Sequence, residues 1–402
     1  MEGLDNVELL PEPDDSRILS VIDSSAVGYQ NHWRSEVTGW APMQAVPVSR
    51  MRSRKMLVTN GVIFSVLVIV MLYVWNSGLL FLEIPPPKSE WAIEQSQFSD
   101  LSDMGLSGEG VRVCMVDTGI DLSNPAFSNL QVTFKDMIGA SNSPVDYGYV
   151  AHGTLMAGIL VSNDHQLGVA PNVDLAMVAA LGADEDDMNS GSEDTVAQSI
   201  RWCQDEYQAD IISLSLGGEQ NVEMHTEGSS VSAVRRAVDS GIFVVAAAGN
   251  DGGDEDDGDV SSPCSERLVI CVGGVKQNGE HWSGSSTGDN NGRAFPFMLP
   301  RSDPNQKPEL VAPAQKVPVI NYQGSWSLVD GTSAATVYVT GAIALLLQDN
   351  PSLRDASSST NSEQVKEWIQ QSVQPEEGQS GHDDDYGYGL LKIQALLDQA
   401  NA

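Results

Sequence analysis

The segment VRVCMVDTG, residues 111–119, carries the pattern that decides the fold of this 402-residue chain. Its first six residues are mostly apolar and rich in valine, which is typical of a short strand buried on both faces. Asp117 follows at the end of this run, and Gly119 allows the chain to turn away directly after it. The segment therefore predicts a buried strand that delivers a carboxylate to one edge of a sheet.

Strands and helices alternate along the rest of the chain. A helix-like apolar stretch, HGTLMAGILV, begins at His152, and short apolar strands recur after it. The predicted elements that follow are a strand at 173–181, a helix at 193–207, a strand at 210–216, a helix at 230–239, strands at 242–248 and 268–275, and a helix at 333–348. This alternation predicts an α/β fold with a mostly parallel sheet covered by helices on both faces.

Three polar residues stand in Gly-marked turns of this pattern: Asp117 in VDTG, His152 in AHGT and Ser333 in DGTSAA. The free N–H groups at a helix start favour a developing anion at Ser333. A serine alkoxide needs a base, and the base needs a carboxylate that orients it. Ligands of parallel sheets bind outside the carboxyl ends of the strands, and Asp117, Ser215 and Asn250 all lie at or just past such ends.

Taken singly, each of these residues has a plainer interpretation. Asp and Ser next to Gly are usually turn or cap residues, and a lone histidine is usually a satisfied core or surface residue. Five other histidines lack any comparable motif and are interpreted as ordinary core or surface residues: His32, His165, His225, His281 and His382. The chemical interpretation of the three motifs depends on their joint occurrence.

The three motifs resemble the signatures of the subtilisin-like serine proteases, in that family's chain order of Asp, His and Ser. Further segments match in order, namely GVAPN at 168–172, SLGG at 215–218, AAGN at 247–250, KPELVAP at 307–313 and GYGLL at 387–391. The resemblance extends from about residue 107 to residue 397. It implies the subtilisin-like fold, serine endopeptidase activity on polypeptide substrates, and chemistry that requires no cofactor.

The resemblance also implies a role for each matching residue. Ser333 attacks the scissile carbonyl, His152 takes up its proton and returns it to the leaving amine, and Asp117 orients the imidazole. The Asn250 amide and the backbone N–H of Ser333 hold the oxyanion, where one donor lowers the barrier by about 3–4 kcal/mol. The peptide binds as an added strand along the backbone of Ser215, Leu216, Gly217 and Gly218.

The serine motif departs from the family at two positions, where Ala334 and Val337 replace a bulkier residue and a proline. Proline there preorganises the helix start and donates no catalytic group, so we expect altered packing and retained chemistry. The alternative function is a catalytically weak or inactive binding module with the same fold. An esterase with the same triad is disfavoured by the peptide-pairing segment at 215–218.

A membrane anchor is predicted before the catalytic region. Residues 56–82 carry no charged side chain and would form a helix about 40 Å long, more than the hydrocarbon core requires. A cleavable signal peptide fits less well, because a long segment precedes this run and the run exceeds a signal h-region. The positive-inside rule predicts a cytoplasmic N-terminus from the basic residues before the run, which are Arg50, Arg52, Arg54 and Lys55.

Four regions are therefore predicted. They are a flexible cytoplasmic tail at 1–55, a transmembrane helix at 56–82, a linker and the start of the ectodomain at 83–106, and an extracytoplasmic catalytic domain at 107–402.

The chain is strongly acidic, because its 55 Asp and Glu residues against 21 Lys and Arg residues give a net charge of −34. This charge excludes nucleic-acid binding through a basic surface. It is consistent with a saline medium or with an ordinary acidic secreted surface.

Four cysteines fall in the region predicted to be extracytoplasmic, where disulfides are permitted. Their spacing favours a bond between Cys264 and Cys271, and the alternative is four buried thiols. The family resemblance also allows for structural calcium. Two acidic runs, 184–187 and 251–259, lack the spacing of a defined calcium loop, and the favoured interpretation is that both are solvated loops.

Overall fold

The computed structural model describes residues 50–76, 90–99, 101, 103–163, 168–218, 228–253, 258–291, 300–320, 326–355 and 359–402. The chain divides into two compact units, residues 1–82 and 83–402. In the first unit, the described part is one helix, α1 (Arg50–Asn76). Residues 77–82 of the predicted transmembrane helix, the tail at 1–49 and His32 lie outside the described residues.

The second unit is built on a parallel sheet of seven strands. In chain order these are β1 (Arg112–Asp117), β2 (Val132–Asp136), β3 (Asp174–Ala179), β6 (Ile211–Leu214), β7 (Phe243–Ala247), β8 (Ile270–Val275) and β9 (Leu310–Pro313). Their spatial order is β2-β3-β1-β6-β7-β8-β9, and every neighbouring pair is parallel. Two small antiparallel hairpins pair β4 (Gly182–Ala183) with β5 (Asn189–Ser190) and β10 (Val317–Ile320) with β11 (Trp326–Val329).

Helices cover both faces of this sheet, as the sequence predicts. They are α2 (Glu90–Gln95), α3 (His152–Val161), α4 (Glu193–Trp202), α5 (Ser229–Asp239), α6 (Thr332–Asp349), α7 (Thr360–Ser372) and α8 (Ile393–Ala400). Short 3₁₀ turns lie at Pro125–Phe127 and Pro351–Asp355, and a π turn at Cys203–Tyr207 extends α4. The predicted helix at 193–207 is therefore an α-helix over residues 193–202 followed by a π turn over residues 203–207.

Alternate residues of β1 enter two different hydrophobic cores. Val113 and Met115 pack in the core that contains α3 and α6, while Cys114 and Val116 pack in the core that contains α4 and α5. Successive side chains of a strand point to opposite faces, so a strand covered on both faces must be apolar throughout. This arrangement explains why the strand segments have continuous rather than alternating apolar sequence.

The carboxyl ends of three neighbouring strands meet at one edge of the sheet. Asp117 ends β1, Ser215 directly follows β6, and Asn250 lies three residues after β7. Pairing in register keeps these ends level, because Met115 of β1 lies opposite Ser213 of β6 and Leu214 of β6 lies opposite Ala246 of β7. The sheet thus positions the predicted site residues before any side chain is considered.

Two disulfides join elements of this fold. Cys264 and Cys271 are bonded, with Cα atoms 4.9 Å apart, and Cys114 in β1 is bonded to Cys203 at the end of α4, with Cα atoms 5.8 Å apart. The first pair is the one that the spacing favours. The second pair spans 89 residues and arises only because α4 packs on the sheet beside β1.

The two disulfides are expected to differ in their effect on stability. A cross-link stabilises chiefly by restricting the unfolded chain, which gives about 4–5 kcal/mol for a loop of 89 residues and about 2–2.5 kcal/mol for a loop of 7. The measurement is denaturant unfolding of the purified full-length chain as two double alanine variants, one for each pair. Equal losses, or a larger loss for the short loop, would contradict this expectation.

Candidate active site

The Asp117 carboxylate and the His152 imidazole form a direct contact at the edge of the sheet. Asp117 Oδ1 lies 2.8 Å from His152 Nδ1, and the same oxygen accepts a hydrogen bond of 2.7 Å from the Thr118 backbone N–H. Asp117 is buried, with 1% of its side chain exposed, whereas His152 retains 22% exposure. A buried carboxylate that holds one ring nitrogen leaves the other nitrogen as a base toward the solvent side.

The charge balance around His152 favours its protonated form. Burial alone works against the imidazolium, but the charge of Asp117, its hydrogen bond and the charge of Asp146 together outweigh this effect. The pKa of His152 is therefore raised above its ordinary value of 6.5. A raised pKa makes the neutral imidazole a stronger base toward a hydroxyl, and the nearby carboxylates stabilise the imidazolium that forms when it takes up the proton.

Ser333 lies in the first turn of α6, on the same edge. This helix is buried along nearly its whole length, and Ser333 is itself 9% exposed. Its Oγ donates a hydrogen bond of 3.2 Å to the backbone carbonyl of Ser215, while the Ser215 hydroxyl donates in return to the Ser333 carbonyl at 3.2 Å. Among the hydrogen bonds of the described residues, none joins Ser333 to His152.

Asn250 is fixed beside Ser333 by Thr332. The Thr332 backbone N–H donates to Asn250 Oδ1 at 2.9 Å, and the Thr332 hydroxyl shares its one hydrogen between Asn250 Oδ1 at 3.0 Å and the Gly249 carbonyl at 3.1 Å. This leaves the Nδ2 amide group for a different acceptor. A methyl group added to Gly331 would lie 3.7 Å from Asn250 Nδ2 and 3.8 Å from the Ser333 backbone nitrogen, so these two donors border the same small space.

The segment at 215–218 continues from β6 past this space. Gly218 pairs with Ser262 as an antiparallel bridge, with N···O distances of 3.1 and 3.0 Å. The backbone groups of Gly218 are thus engaged within the chain, and Ser215, at the other end of this segment, bonds Ser333 through both its carbonyl and its hydroxyl.

Residues 108–389, more than two thirds of the chain, match the sequence model of the Subtilase family. The chain belongs to the subtilase family. It is 33% identical over 254 residues to the major intracellular serine protease of Bacillus subtilis (strain 168), covering 60% of this chain and 70% of that relative. It is 29% identical over 311 residues to subtilisin E of the same organism, covering 76% and 70%. This subtilase is accordingly a serine-type endopeptidase, for which peptide substrates are expected.

Solved structures support the same fold. A mutant of the protease domain of PatA superposes with a TM-score of 0.59 at 22% identity, covering 74% of this chain and 97% of that domain. The self-cleaved protease domain of PatA gives a TM-score of 0.56 at the same identity. The α/β fold predicted from the sequence is confirmed by the seven-stranded parallel sheet and by these neighbours.

The two departures in the serine motif leave α6 intact. Ala334 and Val337 are both buried in the core, and the helix continues without a break from Thr332 to Asp349. Thr336 Oγ1 donates to the Thr332 carbonyl at 2.8 Å, a bond within the first turn. The subtilase thus obtains its helix start without proline at position 337.

The remaining histidines that the structure describes have structural surroundings. His382 Nε2 lies 2.8 Å from the Pro308 carbonyl, and its ring packs edge-on against Tyr388. His281 is partly buried, and burial lowers its pKa below the ordinary value. His165 and His225 lie outside the described residues.

Across the described ranges, no group of three or more His, Cys, Asp or Glu side chains is arranged to hold a metal ion. In the acidic run at 184–187, Asp184 Oδ1 accepts hydrogen bonds from the backbone N–H groups of Asp186 and Met188 at 3.0 and 2.9 Å. In the second run, Asp259 forms a two-point ion pair with Arg301 at 2.8 and 2.7 Å. Residues 254–257 of that run lie outside the described residues. We therefore assign no residues to structural calcium.

One residue near the site, Asp146, is not identified by the sequence motifs. Asp146 lies six residues before His152, and its carboxylate accepts hydrogen bonds from Thr118, which follows Asp117, and from Thr154, two residues after His152. The threonines stand in the DTG and HGT motifs, but nothing in the local sequence marks Asp146 as their shared acceptor.

The residue before His152 adopts a strained backbone conformation. Ala151 precedes the first residue of α3 with φ 54° and ψ 49°, the left-handed region that costs a non-glycine residue about 1–2 kcal/mol. Ala151→Gly removes this strain at the expense of a more flexible unfolded chain. We therefore expect the free energy of unfolding to rise by up to about 1 kcal/mol.

Denaturant unfolding measures this change, and Ala157→Gly inside the same helix is its matched control. Ala157 is fully buried in α3, so the same substitution there should destabilise the protein by about 1 kcal/mol or more. If both variants lost stability equally, the left-handed conformation at Ala151 would not be the source of strain.

Proposed function

We propose that this subtilase cleaves polypeptides with Ser333 as nucleophile, His152 as general base and acid, and Asp117 as the carboxylate that orients the base. The observation that carries this proposal is the 2.8 Å contact between Asp117 Oδ1 and His152 Nδ1. It occurs at the sheet edge where Ser333 begins a buried helix. The chemistry so assigned uses protein groups alone.

In the proposed reaction, the Ser333 hydroxyl leaves its bond to the Ser215 carbonyl by rotation about Cα–Cβ and gives its proton to His152 Nε2. The Ser333 oxygen then bonds to the scissile carbonyl carbon, and the imidazolium returns the proton to the departing amine. Water repeats the same steps on the acyl-enzyme. The negative charge of Asp117 stabilises the imidazolium at each stage.

The oxyanion is proposed to occupy the space beside Gly331, where it accepts from Asn250 Nδ2 and from the Ser333 backbone N–H. Two donors that border one space, with their orientation fixed before the reaction, stabilise charge as it develops. The substrate is proposed to pair with the backbone of Ser215, Leu216 and Gly217, with Gly218 anchoring that segment. Main-chain pairing provides affinity with little sequence preference.

Labelling with a fluorophosphonate tests the activity. The detergent-solubilised chain is exposed to the probe at low and multimolar salt, with Ser333→Ala as control. We expect the wild type alone to be labelled. A folded wild type that takes up no probe under either condition would favour the alternative, a membrane-anchored binding module with the subtilase fold.

We also propose that α1 spans a membrane once and that the catalytic unit faces the extracytoplasmic side. The stretch from Lys55 to Tyr73 is long and apolar enough to cross a bilayer, and none of it is buried within the protein. Basic residues precede it in the sequence, as expected for a cytoplasmic flank. Two disulfides in the catalytic unit agree with an oxidising compartment.

Alkaline carbonate extraction and a membrane-impermeant probe test this topology. We expect the full-length chain to stay in the carbonate-resistant membrane fraction, and Ser333 on intact cells to react with an impermeant fluorophosphonate. Release of a shortened, soluble chain would identify the apolar helix as a cleaved signal sequence. Labelling only after lysis would contradict the proposed orientation and indicate that the catalytic unit faces the cytoplasm.

A further inference from the structure

We infer that Asp146 is a positioning residue for the proposed catalytic pair, because it ties the turn after Asp117 to the first turn of the helix that begins at His152. This inference rests on the proposed function, since it assigns Asp146 a task within that same site. Asp146 touches neither the substrate-binding segment nor Ser333 in the described contacts, so it would act through the pair and not on the reacting atoms.

The carboxylate of Asp146 has four donors, two on each oxygen. Oδ1 accepts from the Thr118 hydroxyl at 2.7 Å and from the Gly148 backbone N–H at 2.9 Å. Oδ2 accepts from the Thr154 backbone N–H at 2.9 Å and from the Thr154 hydroxyl at 2.6 Å. One oxygen thus holds the turn after β1, and the other holds the start of α3.

The two threonines extend this connection across the site. Thr118 Oγ1 also accepts from the Gly153 backbone N–H at 2.8 Å, so the residue after Asp117 is bonded to the residue after His152. Thr154 Oγ1 accepts from the Asp121 backbone N–H at 2.9 Å, a second link between the same two segments. The 2.8 Å distance between Asp117 and His152 is therefore set by bonds that converge on Asp146.

A neutral amide cannot replace this carboxylate. Each oxygen of Asp146 accepts from one backbone N–H, that of Gly148 or that of Thr154, and neither donor is able to reverse its polarity. In Asp146→Asn the amide NH₂ would face one of these N–H groups in either orientation. The substitution therefore breaks the link on one side while preserving the size of the side chain.

Asp146 also acts on His152 through its charge. In the described part of the chain, the charged groups that act on His152 are Asp117 and Asp146, and both favour the imidazolium. Removing the Asp146 charge should lower the pKa of His152. Labelling requires the neutral imidazole. The acidic limb of the pH–rate profile of labelling should therefore move to lower pH.

The test compares Asp146→Asn with Asp136→Asn in the detergent-solubilised full chain. Asp136 is a matched control because it also accepts backbone N–H bonds, from Ile138, Gly139 and Ser141, and a hydroxyl bond from Tyr147. Its charge has no part in the shift of His152. The readout is the rate constant of fluorophosphonate labelling across pH, with the unfolding midpoint of each variant.

For Asp146→Asn we expect a labelling rate about 10- to 100-fold lower at its optimum, together with an acid limb at lower pH. For Asp136→Asn we expect the wild-type rate and limb. Equal profiles for the two variants, with the wild type active, would overturn the inference. A wild type that is never labelled would overturn the proposed function instead.

A second pair of variants decides the matter if Asp146→Asn does not fold. Thr154→Val keeps the carboxylate but removes the hydroxyl that bonds it, and Thr154→Ser restores that hydroxyl. We expect Thr154→Val to lower the labelling rate without moving the acid limb, and Thr154→Ser to recover the rate. Wild-type labelling by Thr154→Val would count against positioning through this network.

Discussion

Replacing Ser333 or His152 by alanine is expected to lower the turnover of casein by about 10⁶-fold, whereas Asp117→Ala should cost about 10⁴-fold. These magnitudes are those of a subtilisin, a relative of this chain, and are carried over on the shared arrangement. Asp117→Ala is expected to cost less because, in the proposed mechanism, Asp117 acts through His152, which it contacts at 2.8 Å, and not on the substrate itself. Turnover of fluorescent casein at saturating substrate measures all three variants.

The decisive comparison is the double variant Ser333→Ala/His152→Ala. Once the nucleophile is gone, the base has no proton to accept, so the double variant should be no slower than either single variant. Ser199→Ala is the matched control, since Ser199 is a buried serine of α4 whose hydroxyl, among the contacts of the described residues, bonds the Thr195 carbonyl of its own helix. It should turn over casein at the wild-type rate. Losses that multiply in the double variant would show that the two residues do not act as one unit.

Replacing Asn250 by leucine is expected to lower kcat by about 10²- to 10³-fold with little change in KM. Leucine matches the size of asparagine but cannot donate to the proposed oxyanion, which in that mechanism exists only after the Ser333 oxygen has attacked. Loss confined to kcat is the signature of an interaction made in the transition state. Casein turnover at a series of substrate concentrations separates the two constants.

The neighbours of Asn250 provide sharper variants of this test. Thr332→Val removes one of the two bonds that orient Asn250 Oδ1 and should reduce kcat less than Asn250→Leu, while Thr332→Ser should restore it. Gly331→Ala places a methyl within 3.8 Å of both donors and should also reduce kcat. Asn172→Leu serves as control, because the Asn172 amide bonds Ser107, outside the proposed site. If Asn250→Leu had the same kcat as this control, the proposal that Asn250 binds the oxyanion would be wrong.

Most strands of the parallel sheet and most helices are predictable from the sequence for a local reason, whereas the catalytic roles of the three motif residues stay a prediction. A strand covered on both faces is apolar at nearly every position, and the segments at 111–116, 211–214 and 243–247 show this, with Arg112 and Ser213 as exceptions. Glycines mark the turns where Asp117, His152 and Ser333 stand. Smaller elements, such as β2, β9 and both hairpins, lack a long periodic pattern and were not predicted.

The tertiary structure alone decided how distant groups meet. Cys114 and Cys203 are 89 residues apart, and their pairing depends on the packing of α4 against β1. Asp146 lies on an irregular segment without periodicity, yet it receives the donors of both motif turns. Thr332 fixes the amide of Asn250 across 82 residues of chain.

The sequence by itself thus determined the class of fold, the family and the chemical groups of the proposed site. Burial and turn geometry impose these choices residue by residue, and they leave continuous apolar runs in the buried strands and a period of about 3.6 in the amphipathic helices. Which donor meets which acceptor depends on the paths of loops that carry no such period. Only the folded chain therefore brings Asp146 to the pair formed by Asp117 and His152, and Asn250 to the start of α6.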